Sequence, residues 1–463
     1  MNAPTRPRPP LDPGFAPPIL ALRAYREEAR RSRQTVPLVL ALERDGGRVS
    51  RYETAVRDDR TPDTLRYVEC LVKFLLWARG AFRIVVGGPP PLAEHIRSVY
   101  SPSGARAFDV AMMERVYEKP FEVAGAAPAD VPAEREAQAR IGGHLDGCRI
   151  GFDLGASDYK VAAVRDGKVL YTEEFPWDPR LQADPAYHYD HLNSGLRKAA
   201  MFLPRVDAIG GSSAGLIVDN RVMVASLFRA VPDSAFAGAR DLFRRIAREW
   251  KVPVEVANDG DVTALAGSLS LRVNGILGIA LGSSEAGGYL DPAGHMTGWL
   301  TELAFAPVDL QPGAPADEWS GDRGVGAVYF SQQAVNRLLA PAGIAVPEAM
   351  SVPDRLKVVQ DRMAAGDPRA ARIYETIGDY LGYAIPWYAE FYAMEHVLIL
   401  GRVTSGAGGD ILLDRARRVL DAVFPEAAQR IRLHAPDEKS KRVGQAVAAA
   451  SLPMVRNNGG TCA

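Results

Sequence analysis

The chain has 463 residues and a formal net charge of −1, with 24% of residues charged and a pI near 6.7. That length accommodates two or three domains with sizeable cores, and the near-neutral balance excludes bulk binding to nucleic acid or to an anionic membrane surface. The three cysteines, Cys70, Cys148 and Cys462, are far apart and odd in number, which fits a cytoplasmic location and offers neither a disulfide frame nor a cysteine zinc site.

No apolar run approaches the roughly 18 residues that a membrane helix needs. The start, MNAPTRPRPPLDPGFAPP, lacks the apolar stretch of a secretory signal. Its proline load makes it a poor core former and predicts a flexible arm over residues 1–18, disordered or extended. An N-terminal α/β domain follows over 19–147. It opens with an amphipathic helix (ILALRAYREEARRSRQ), then a hairpin around Asp45-Gly46-Gly47, the helix LRYVECLVKFLLWARG, the buried strand FRIVVGG, the helix DVAMMERVYEKP and the strand FEVAG. The stretch APADVPAEREAQARIGGHLDG is poor in large apolar residues and reads as a linker. A second block begins at Cys148 as strand, glycine turn, strand, Asp-Gly turn, strand. Its KVAAVRDGKVLYTEEF resembles LALERDGGRVSRYETA of the first block. Either an internal repeat or two independent hairpins would give that likeness. Helices and strands then alternate to the C-terminus, indicating α/β architecture with one domain at 148–270 and another at 271–463.

Chemistry concentrates at four places. In VEVANDGDVTALAG, Val254–Gly267, an alternating strand meets a helix whose apolar residues Val262, Leu265, Ala266 and Leu269 share a face. Asp261 is the expected N-cap. Polar residues there sit at a strand's carboxyl end facing a helix N-terminus, where α/β proteins bind ligands, although Asn-Asp-Gly-Asp also makes a good turn. Three glycine-rich turns surround it: Asp153–Lys160, Gly282–Gly288 and Gly401–Gly409. Glycines let backbone N–H groups approach phosphate oxygens, and hydroxyls add donors; tight turns need glycine as well.

GFDLGASDYKVAAV resembles the first phosphate motif of the actin, hexokinase and heat-shock-chaperone superfamily. LGSSEAGGYL resembles its second phosphate motif and VLILGRVTSGAGG its adenosine motif. VEVANDGDVTALAG is similar to the ENDANAAA box of the ROK sugar kinases, and VDAIGGSSAGLIVDNRVMV to their sugar-side loop. The resemblance implies two ribonuclease-H-like domains around a nucleotide and sugar cleft, with an extra N-terminal α/β domain. It implies Mg-ATP-dependent phosphorylation of a hexose or hexose derivative, with Asp259 as general base. Asn258, Glu302, Ser212, Ser213, Gly215 and Ser226 would face the sugar. Asp153, Gly155, Ser157, Gly282, Ser283, Ser284, Gly401, Gly406 and Gly408 would face the nucleotide, with Asp153 also near its magnesium. Sugar and ATP would be the partners of a cytoplasmic homodimer, without nucleic acid or membrane.

The departures are specific. Where the family has GEIGH, this chain has Thr301-Glu302-Leu303-Ala304-Phe305, and the family's zinc loop aligns with Glu318–Ala327, which carries no cysteine or histidine. No structural zinc is therefore expected. The loop DEWSGDRG reads either as a contact with substrate or a partner, or as a charged loop around a buried Trp319. His188 and His191 are spaced as if to share a metal, but with no nearby carboxylate or cysteine set they read as a surface pair at a helix start; the aromatic run YAIPWYAEFYAMEH reads as core. An alternative to the kinase is a non-catalytic sugar- or nucleotide-sensing regulator of the same fold; another is an ATPase that binds no sugar.

Overall fold

A computed structural model describes residues 6–32, 34–59, 61–136, 142–155, 157–435 and 440–455. Cys462, the first five residues, Ala156 of the first glycine turn and 137–141 of the expected linker lie outside the described residues. The chain divides into two compact units. One comprises Met1–Ala137, Ile279–Gly287 and Thr297–Ala435; the other comprises Gln138–Gly278, Gly288–Met296 and Pro436–Ala463.

In the first unit, β1 (Thr35–Arg44), β2 (Arg48–Arg57), β3 (Arg83–Gly87) and β4 (Glu122–Ala126) form a sheet in the order β2-β1-β3-β4. Antiparallel pairing joins β1 to both β2 and β3, and β4 runs parallel to β3. The helix Pro62–Arg79 is capped by Thr61, whose side chain accepts from the Thr64 N–H, and it stops at Gly80 with φ 78°. It is apolar nearly all round, with Val68, Leu71, Val72, Phe74, Leu76 and Trp77 buried. Such a helix must be covered on more than one side. Phe74 stacks on Phe391 at 4.1 Å and meets Trp387 edge-on at 5.0 Å, so its core is shared with the helix Pro368–Tyr388. The expected separate domain at 19–147 is thus part of a larger unit.

The proline-rich start is likewise held rather than flexible from residue 6 onward. Tyr380 donates to Asp12 at 2.7 Å, the Ala16 N–H donates to Asp309 at 2.9 Å, and the Phe15 ring lies 4.6 Å from that of Tyr380. Proline supplies little core, yet it presets an extended backbone that loses little entropy when laid against a surface.

In the second unit β5 (Cys148–Leu154), β6 (Asp158–Arg165), β7 (Lys168–Pro176), β8 (Ala208–Ser213) and β11 (Val254–Asn258) make a five-stranded sheet, in the order β11-β8-β5-β6-β7. β9 (Leu216–Val218) and β10 (Arg221–Val224) form a separate antiparallel pair. Three antiparallel strands followed by two parallel ones is the ribonuclease-H-like arrangement. This topology speaks against the internal repeat: β3, the strand after the first hairpin, pairs with β1, whereas β8, the strand after the second, pairs with β5 and β11 and not with β6, the counterpart of β1. The C-terminal helix Ser440–Ala450 returns to this sheet rather than remaining in the 271–463 block. Glycines make the seat. A Cβ on Gly151 would lie 1.8 Å from the Ala446 carbonyl oxygen, and one on Gly210 1.7 Å from that of Ala449.

The remaining sheet has the order β13-β12-β14-β15, from β12 (Ile276–Leu281), β13 (Glu285–Leu290), β14 (His396–Leu400) and β15 (Arg432–His434). The division between units runs through β12 and β13. No described helix is long and apolar enough to cross a membrane.

Because the helix backbone rests directly on the two strand glycines, Gly210→Val should unseat Ser440–Ala450 and cost about 3 kcal/mol or more of stability. Urea unfolding would measure it, and an unchanged midpoint would contradict the packing described.

Candidate functional site

Parallel register assembles the second unit's polar residues. Asp153 on β5 pairs with Ser212 on β8, and Ser212 with Ala257 on β11; one position on, Leu154, Ser213 and Asn258 are in line. The carboxyl ends of three strands thus meet at one edge of the sheet, and Asp259 begins the next helix there. Ser212 donates to the Asp153 carboxylate at 2.6 Å. The helix cap is Asn258, not Asp261: its side-chain oxygen accepts from the Gly260 N–H at 2.7 Å. Its amide donates to the Gly215 carbonyl at 2.8 Å, so Asn258 ties the loop at Gly215 to the helix start. Gly215 has φ 111°, and a Cβ there would lie 2.4 Å from Ala225 Cβ, which excludes other residues.

Three carboxylates crowd this junction. Burial raises Asp153, partly offset by the Ser212 hydrogen bond and by Lys160. Burial, then the Asp153 charge, raises Asp259 to about 6. Burial raises Asp261 to about 7, although its carboxylate accepts from the Tyr289 N–H. Gln445 of the C-terminal helix donates to the Asp259 carbonyl at 3.1 Å and to Thr263 at 3.0 Å, pinning the first helical turn.

In the first glycine turn, the Gly155 N–H donates to the Asp158 carbonyl and Trp177 to that of Gly155. Ser157 is exposed and donates to Asp158, which also takes Lys160 at 3.1 Å. Ser213 is buried, and Ser226 is exposed in a turn after β10.

In the first unit, Gly282, Ser283 and Ser284 form the turn between β12 and β13, with both serines exposed. Gly401, φ 105°, backs onto that strand: a Cβ there would sit 2.4 Å from the Leu281 carbonyl oxygen. Sheet order therefore brings the second and third glycine turns side by side. Gly406 precedes the helix Ala407–Val423. Gly408 has a packing reason of its own, since a Cβ would lie 2.4 Å from the Tyr374 ring. Glu302 follows Thr301, a β-branched residue at φ 46°. Such a backbone costs about 1–3 kcal/mol and persists only where its surroundings enforce it.

Sequence reasoning passed over Glu285. It is buried, accepts from Tyr388 at 3.2 Å, and leaves Oε2 without a hydrogen-bond partner. Burial, and then the nearby Glu302, push it up to about 8; it therefore carries its proton at neutral pH. An acid amid small and hydroxylic residues in LGSSEAGG was the available signal. Also unforeseen is a buried cluster of Lys73, Asp109 and Asp322. Trp319, buried on one of the two readings of its loop, is 61% exposed. His188 is buried instead of forming a surface pair: its Nε2 lies 3.1 Å from the Pro179 carbonyl and its ring packs on Phe228. Tyr383, Trp387, Tyr388 and Tyr392 are core, as their spacing implies.

Among the described residues no group of three or more His, Cys, Asp or Glu is arranged to hold a metal ion. Asp153 uses one carboxylate oxygen for Ser212. The other is a hard oxygen of the kind divalent cations take.

No protein-family model and no curated protein matches the sequence. Solved structures do. The ROK hexokinase from Thermus thermophilus is 19% identical, with 65% of this chain and 97% of that one covered at a TM-score of 0.50. A ROK family glucokinase from Streptomyces griseus, solved with glucose and AMPPNP, is 20% identical over 66% of this chain and 99% of its own, with a TM-score of 0.51. A ROK family transcriptional regulator, a homolog of the E. coli MLC protein, is 21% identical over 66% of this chain and 79% of its own, with a TM-score of 0.52. The chain has the fold of these ROK proteins, the actin/hexokinase-like α/β architecture. About a third of it lies outside each match.

An acid whose pKa is raised on folding holds its proton more tightly folded than unfolded. Asp261 therefore costs stability as pH rises from its ordinary 3.8 through about 7. Asp261→Asn should stabilise the fold at pH 8 by about 1–3 kcal/mol, with the gain vanishing toward pH 4. Urea unfolding at the two pH values measures this; a gain independent of pH would refute the assignment.

Proposed function

We propose that this protein is a ROK-type kinase that transfers the γ-phosphoryl group of ATP to a hydroxyl of a hexose or hexose derivative. The observation that carries the reading is Asp259, held at the junction of a parallel strand and a helix N-terminus, coupled to Asp153 and poised near neutrality at about 6. A carboxylate so placed suits a general base, because little is lost in accepting a proton near physiological pH.

In this reading the sugar hydroxyl gives its proton to the Asp259 carboxylate while its oxygen bonds to the γ-phosphorus. The bond from that phosphorus to the bridging oxygen breaks, and ADP leaves. Catalysis of this kind rests on positioning and charge stabilisation. Asn258 contributes by holding the sugar-side loop at Gly215, with Ser212, Ser213, Gly215 and Ser226 on the acceptor side together with Glu302. Gly155, Ser157, Gly282, Ser283 and Ser284 would line the phosphate side, with exposed hydroxyls on Ser283 and Ser284. Gly401 and Gly406 shape the adenosine side, next to Gly408. Asp153 would hold magnesium, which neutralises charge on the phosphates.

A sensing regulator is the second reading. It is favoured by Asn258, whose side chain is engaged by Gly215 and Gly260, and by Phe305, an apolar ring near the acceptor glutamate.

A panel of hexoses with Mg-ATP and coupled detection of ADP tests the proposal. Asp259→Asn should lower turnover by roughly 100- to 10,000-fold and leave ATP affinity nearly unchanged. For the wild type, kcat/KM should rise with pH through about 6, as the base loses its proton. Undiminished turnover in the variant would remove Asp259 from the chemistry. ATP binding with no sugar-dependent ADP release would favour the regulator.

A further inference from the structure

The helix Pro62–Arg79 belongs to the N-terminal segment, yet its last turn grips the acceptor-side glutamate. The Thr301 N–H donates to the Ala78 carbonyl at 2.9 Å, and the Glu302 N–H to that of Trp77 at 3.0 Å. These bonds enforce the left-handed backbone of Thr301, at φ 46°, where the resemblance has glycine. Gly80 makes room for the approach: a Cβ there would lie 2.8 Å from Leu300 Cγ.

One turn earlier on the same helix, Lys73 is 1% exposed. Its Nζ lies 2.6 Å from Asp109 Oδ1 and 2.5 Å from Asp322 Oδ2. Trp77 donates its indole N–H to the same Asp109 oxygen at 3.0 Å, and Arg106 reaches Asp322 Oδ1 at 2.6 Å. Asp322 belongs to the loop that aligns with the family's zinc loop. Isolated bridges pair Ala316 with Arg323 and Pro307 with Val325, and the Gly326 N–H donates to the Ala306 carbonyl. The loop and the Glu302 segment are thus one piece. Its aromatic seam repeats the connection, with the Phe305 ring 4.4 Å from that of Trp77 and 5.5 Å from that of Trp319.

We propose that Lys73, Asp322 and Trp77 are positioning residues for Glu302: a buried ion cluster, in which Lys73 and Asp109 of the N-terminal segment meet Asp322 of this loop, holds the Glu302 segment in place. Removing one partner from a buried charge cluster leaves the others uncompensated, and the held segment loosens. The functional part of this inference rests on the kinase reading of Glu302; the mechanical part does not.

The experiment is Asp322→Ala in the full chain, which leaves Lys73 paired with Asp109. Amide exchange over residues 300–306 should accelerate by roughly tenfold or more relative to distant helices. The KM for sugar should rise roughly tenfold while the KM for ATP stays within about twofold. Asp322→Asn, which keeps an oxygen acceptor, should recover much of both. Unchanged exchange at 300–306, or equal shifts in both KM values, would overturn the proposal. If the wild type turns over no sugar, the kinase reading fails, and the exchange result alone decides whether the cluster holds the segment. If Asp322→Ala does not fold, Trp77→Phe, which deletes only the indole donor to Asp109, takes its place. Faster exchange at 300–306 is then the expected result, and unchanged exchange overturns the proposal.

Discussion

Parallel strand register is the constraint on which the second unit's chemistry depends. Asp153, Ser212 and Asn258 are separated by long stretches of chain, and backbone pairing of β5, β8 and β11 brings them to one edge. The direction of the strands matters as much as the pairing. All three point their carboxyl ends the same way, so the following turns and the N–H groups of the helix Asp259–Leu271 collect on one side of the sheet. The close seat of Ser440–Ala450 on Gly151 and Gly210 covers those same strands, and Gln445 from that helix reaches the first turn at Asp259.

Electrostatic cost follows from that convergence. Asp153, Asp259 and Asp261, collected at a half-buried edge, all lie above their ordinary values: burial opposes ionisation in each, and repulsion adds to it at Asp259 from Asp153 and at Asp261 from Asp259. A structural role alone would not require three acids there, and residues kept at such cost are candidates for chemistry. Glu285, in the other unit, is a similar case with a different outcome. Its surroundings keep it protonated and it is bonded to Tyr388, so it acts as a neutral buried acid.

In the first unit the N-terminal segment is structurally inseparable from the fold it accompanies. A helix as apolar as Pro62–Arg79 cannot be covered by β1–β4 alone, and Phe74 and Trp77 find their other cover on Trp387, Phe391 and Phe305. The same burial carries Lys73 inward, where two carboxylates compensate its charge. The segment that reads as an added domain is, in the folded chain, a wall of the unit that carries Glu302.

The α/β class, the strand before Asn258, the helix after it, and the glycine turns were legible in the sequence. Each is set by local patterning: alternation, helical spacing and the conformations that only glycine adopts easily. The cap falls three residues before the expected Asp261, since Asn and Asp are equally good caps in the stretch Asn258-Asp259-Gly260-Asp261, and only the strand's end decides which one serves. The burial of His188, the exposure of Trp319 and the pinned start at Asp12 and Phe15 depend on partners far along the chain. What the sequence by itself determined was which backbone states and chemical groups are present. Tertiary structure alone decided that Lys73 meets Asp322, that the C-terminal helix lies on Gly210, and that residues 6–136 join the first unit. Those outcomes follow from long-range burial, which no local spacing encodes.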